Sequence, residues 1–94
     1  MAMTQERAET VALQVLSWLA GNEDLLPVFL GASGAALEDL RDGTGDPEFL
    51  AAVMDFVLMD DDWVVACCDA CGFAYETLAA ARQGLPGGAP INWT

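Results

Sequence analysis

Apolar residues in this chain recur at helical spacing in short blocks, and glycine or proline punctuates most of their boundaries. No stretch alternates with period two for long enough to make a strand, so the pattern predicts an all-α fold. The first block follows Thr4, an N-cap residue type, with Glu6 in the positive first turn. Ala8, Val11, Ala12, Val15, Leu16, Trp18 and Leu19 then share one face, while Thr10, Gln14 and Ser17 lie opposite. Leu13 falls off the stripe and is expected at the surface. Gly21 is expected to end the helix in the left-handed region.

Two short helices should follow. Asp24 is placed to cap the first, with Pro27 in its first turn and Leu26, Phe29 and Leu30 facing inward. Ser33 is placed to cap the second, which would present Ala36, Leu37 and Leu40 and stop before Gly43-Thr44-Gly45. Asp46-Pro47-Glu48 is the clearest start signal, combining a cap, a proline at the first helical position and an acid in the first turn. Phe49, Leu50, Val53, Phe56 and Val57 form the core face of that helix. Met54, Leu58 and Met59 form a second apolar strip, so this helix is either nearly buried all round, covered there by the first or last helix, or offers the strip as a candidate interaction surface. A last helix is expected from about Asp62 to Gln83, with Trp63, Val64, Cys67, Cys71, Ala74, Tyr75 and Leu78 inward. Gly84 ends it, Leu85 is placed for a Schellman-type contact, and Pro86 forbids continuation. An irregular tail over 85–94 offers Ile91 and Trp93 to pin back onto the body.

These elements add up to a compact orthogonal bundle of four or five short helices, a single domain over 1–94 with a helix-turn-helix-like pair in its middle. The chain is 54% hydrophobic and 19% charged, the balance of a packed globule. A chain of this size buries roughly 64% of its unfolded surface, enough for a core without metal or disulfide.

Charge excludes more chemistry than any motif brings in. Fifteen Asp and Glu face three Arg, with no Lys and no His, for a net charge of −12. There is no imidazole base, no Schiff-base lysine and no P-loop lysine. Arg7, Arg41 and Arg82 are scattered, so neither nucleic acid nor an anionic membrane is an expected partner. In the helix-turn-helix-like stretch Leu30-Gly31-Ala32-Ser33, the second helix carries Glu38, Asp39 and Asp42 against Arg41 alone, a face that repels phosphate. Met1 to Arg7 lacks the basic start and apolar run of a signal peptide, and no apolar run approaches the ~20 residues of a membrane span. The expected compartment is the cytoplasm.

Cys67, Cys68 and Cys71 crowd into five positions and do not make a disulfide framework. Cys68-Asp69-Ala70-Cys71 spells C-x-x-C, but such thiols gain reactivity at a helix N-terminus, and this pair falls in mid-helix beside an acid. Cys68 and Cys71 remain the candidate reactive thiols. Asp60-Asp61-Asp62 lacks the glycine and the closing glutamate of a calcium loop and suits a cap with two first-turn acids. No catalytic, cofactor or metal residue is assigned. The reading is a non-catalytic protein-interaction or regulatory module that binds an unidentified protein or itself. The alternative is a thiol-dependent or metal-assisted enzyme built on Cys67, Cys68 and Cys71.

Several stretches together resemble a family of small alphaproteobacterial proteins of roughly a hundred residues, a domain of unknown function. They are Phe29-Leu30-Gly31 with Leu37 and Asp39-Leu40-Arg41, Phe49-Leu50 through Val53, Asp55-Phe56, Asp60-Asp61-Asp62, Cys67, Ala81-Arg82, Leu85-Pro86-Gly87-Gly88 and Trp93. The resemblance covers about 25–94 and implies a compact helical domain without an assigned activity. Ala66, Cys68 and the second C-x-x-C thiol, Cys71, depart from its pattern of an aromatic followed by a single cysteine.

Overall fold

The computed structural model describes residues 3–85, and within them the chain is all α-helical. The helices are Gln5–Ala20 (α1), Leu26–Ser33 (α2), Leu37–Asp42 (α3), Pro47–Leu58 (α4), Asp61–Cys71 (α5) and Glu76–Gln83 (α6), with a 3-10 turn at Gly43–Gly45. The Cα radius of gyration is 12.5 Å, close to the ~12 Å of a compact chain this long.

α1 is the central element and packs against α4, α5 and α6. Its apolar stripe is buried from Ala8 to Leu19, Trp18 is half-buried, and Leu13 is exposed as its position predicts. The Thr4 hydroxyl accepts the Arg7 N–H, the expected cap. Asp46 caps α4 by accepting from the Glu48 N–H, with Pro47 opening the helix. Asp60 caps α5 by accepting from the Asp62 N–H, which leaves Asp61 and Asp62 in its first turn.

The expected last helix is in fact two. Gly72 adopts the left-handed region, φ 77° and ψ 28°, and ends α5 at Cys71. The N–H groups of Gly72 and Phe73 both donate to the Cys68 carbonyl, at 2.8 and 3.0 Å, and Phe73 packs against the core. The Phe73 bond is the 6→1 bond of a Schellman stop and the Gly72 bond the 5→1 bond of a left-handed cap, followed by an apolar contact. α6 then departs at 97° to α5. This break makes six helices, and it turns Ala74 and Tyr75 outward, where the last face of a continuous helix would have buried them. The Tyr75 hydroxyl donates to Asp69 at 3.0 Å, a bond that holds its pKa above the ordinary value.

Smaller corrections have equally local causes. The Asn22 side chain, not Asp24, accepts from the N–H groups of Asp24 and Leu25 ahead of α2. Ser33 closes α2 instead of opening α3, since its hydroxyl donates to the Phe29 carbonyl at 2.8 Å. Gly34, at φ 75°, is the turn between the two helices. The N-cap residue of α3 is Ala36, whose N–H donates to the Asp39 carboxylate at 2.8 Å. Leu37 is thereby turned outward and is 61% exposed, while Leu40 is buried. Gly21 and Gly84 stay right-handed. Leu85 reaches the core through a tighter turn, its N–H donating to Arg82. Pro86, Ile91 and Trp93 lie outside the described residues.

Candidate functional site

A groove runs between α2 and α4. A hollow of about 410 Å³ is lined by Phe29 and Ser33 of α2, Asp39 and Asp42 of α3, and Asp46, Phe49 and Ala52 at the start of α4. A second hollow of about 230 Å³, lined by Asp55, Phe56 and Met59, shares Phe29, Ser33 and Ala52 with the first. The two hollows are therefore neighbours along one groove, with the exposed Ala52 common to both.

Aromatic packing builds its floor. The buried Phe29 ring meets Phe49 edge-on at 6.1 Å and Phe56 at 5.2 Å, and Phe56 stacks on Trp63 at 4.8 Å. Edge-to-face pairs of this kind fix ring orientation beyond what area burial alone would do. Gly43 sets the closed end. A Cβ there would lie 2.3 Å from a Phe49 ring carbon, so only glycine lets the 3-10 turn lie against that ring.

Three carboxylates border this end. Asp39 accepts the Ala36 N–H and Asp46 accepts the Glu48 N–H through one oxygen each. Asp42 makes no side-chain hydrogen bond among the described residues. No Arg lines either hollow. Arg41 instead lines a separate hollow with Leu13 and Leu37, and Arg82 pairs with Asp55 beside the Met59 end.

The three strip residues do not share one surface. Met54 is fully buried and cannot touch a partner. Leu58 is half-buried against the core, and Met59, 74% exposed, alone reaches the groove. Helical spacing placed them off the main stripe, but α4 is packed on more than one side by α1, α5 and α6. The groove residues were missed because they converge only when α2 folds onto α4. The proximity of Asp39, Asp42 and Asp46 in sequence was the one signal available.

The cysteines point away from reactivity. Cys67 and Cys68 have no exposed surface, and Cys71 is half-buried. Burial pushes the Cys67 thiol up to about 12, reinforced by Cys71 and Cys68. The Cys68 thiol is raised for the same first reason, with Cys71, Asp69 and Glu76 adding to it. Cys68 is therefore no accessible nucleophile. Among the described residues no three His, Cys, Asp or Glu side chains converge as a metal site.

The sequence model of a family described as a protein of unknown function, DUF3572, matches residues 5–88. The chain belongs to this family. The match takes in all six helices of the described residues and ends before Trp93. No curated protein and no solved structure matches the chain. No single helix among the described residues is long and apolar enough to cross a membrane.

Proposed function

We propose that this DUF3572 protein is a non-catalytic protein-interaction module of the cytoplasm, and that it docks its partner in the α2–α4 groove. The observation that carries the reading is the adjacency of the two hollows, which share Phe29, Ser33 and Ala52, over a floor of Phe29, Phe49 and Phe56. Open apolar grooves with a polar border are where proteins take up side chains of other proteins. Met59 supports it, because an exposed methionine repacks against partners of different shape. The inward-facing thiols weigh against the thiol-enzyme alternative. A net charge of −12 disfavours nucleic acid and anionic lipid as partners.

Position-specific photo-crosslinking in the source cell tests this. A photoreactive residue at Ala52 should yield a discrete adduct that the same residue at Thr10, on the solvent face of α1, does not. Identical adduct patterns from both positions would remove the groove from consideration.

A further inference from the structure

We infer that the occupant of the groove is a basic amphipathic segment of another protein, apolar along one face and carrying Lys or Arg clustered at one end. This rests on the reading of the groove as the docking surface and adds the partner's chemistry and direction. The groove is polarised. Asp39, Asp42 and Asp46 line its α3 end, whereas Phe56 and Met59 form its other end, where the carboxylate of Asp55 is already paired with Arg82. Asp39 and Asp46 each spend one oxygen on a backbone N–H, and Asp42 spends none among the described residues. Carboxylate oxygens therefore remain for an incoming cation beside an aromatic floor, an arrangement suited to an ammonium or guanidinium with an apolar stem. Among the described residues no arginine lines this end: Arg41 lines the hollow shared with Leu13 and Leu37, Arg82 is paired with Asp55, and Arg7 belongs to α1. A second copy is a poor occupant, because a chain of net charge −12 brings like charge to an acidic border. An apolar helical face laid in a groove, oriented by end charges, satisfies both ends at once.

Fluorescence anisotropy with the full chain tests the inference. The probes are synthetic peptides of about fifteen residues with leucines at i, i+3, i+4 and i+7 and one charged end, made in lysine, glutamine and glutamate versions. The lysine peptide should bind about tenfold tighter than the glutamine peptide at low salt, and the preference should fade as salt rises to about 0.5 M. Asp42→Lys, with Asp42→Asn as the milder variant, should erase the lysine preference and leave glutamine-peptide binding unchanged. Ala52→Trp should abolish binding of both. Equal, salt-independent binding of the three peptides, still lost in Ala52→Trp, overturns the charge inference and leaves the docking surface standing. Absence of binding by every peptide, or binding that survives Ala52→Trp, overturns both.

Discussion

The Cys68 thiol donates to the Ala74 carbonyl at 3.6 Å, tying the last turn of α5 to the segment that leads into α6. The Cys68 carbonyl meanwhile accepts the Gly72 and Phe73 N–H groups that end the helix. One residue thus secures the elbow with both its side chain and its backbone. The C-x-x-C spelling at this point is a by-product of building a corner.

Thiol reactivity follows from that burial. In the native protein at neutral pH, a disulfide reagent should modify Cys71 first. Cys67 and Cys68 should react only as fast as the fold opens. Cys71→Ala should remove the fast phase, and denaturant should release all three thiols. Two equally fast native thiols would contradict the geometry.

Alkaline stability carries a definite sign. Cys67 is raised from 9.0 to about 12 by burial first, then by its neighbouring thiols. Between those values the unfolded chain loses this proton while the native chain keeps it, so the native state holds more protons. Stability then falls as pH rises through that window, and the contribution is intact below it. Urea midpoints should drop above about pH 9, and Cys67→Ala should flatten the drop. An unchanged alkaline limb in that variant would assign the loss to other groups.

Most of the fold was legible where a single local rule sufficed. Thr4, Asp46-Pro47 and Asp60 marked three helix starts, and the α1 stripe named its buried face. What failed needed competition between rules. Apolar spacing continued past Cys71 well enough to hide the stop at Gly72-Phe73, and Ser33 satisfied the pattern of a cap while serving as a helix end. The groove was illegible for a different reason. Phe29 reads as core from α2 and Phe49 as core from α4, and only their edge-on meeting leaves an open, acid-bordered hollow.

Two glycines should fail for separable reasons. Gly72→Ala meets no atom within 4 Å but must hold φ 77°, so its cost is backbone strain of about 1–2 kcal/mol. Gly43→Ala has an ordinary φ of −77° and instead drives a methyl into the Phe49 ring. Overpacking of that kind costs roughly 1–3 kcal/mol. Either change should lower Tm by several degrees. Adding Phe49→Ala should recover part of the Gly43→Ala loss and none of the Gly72→Ala loss. Equal recovery in both pairs would show that the ring does not decide the first.

Met54 and Met59 lie five positions apart on one helix, and a carboxylate should separate them cleanly. Met54 is fully enclosed among the core residues contributed by α1, α4, α5 and α6. Met54→Asp buries a charge with no partner, so it should cost several kcal/mol and leave the chain largely unfolded at 25 °C. Met59 is 74% exposed at the mouth of the smaller hollow. Met59→Asp should change stability by no more than about 0.5 kcal/mol, while weakening whatever engages the apolar end of the groove. Far-UV CD melts give the first comparison, and crosslinking from Ala52 in the Met59→Asp background gives the second. Leu58→Asp should fall between them, because its half-buried side chain leaves a carboxylate partial access to water. A folded Met54→Asp with an unfolded Met59→Asp would reverse the orientation of α4 described here.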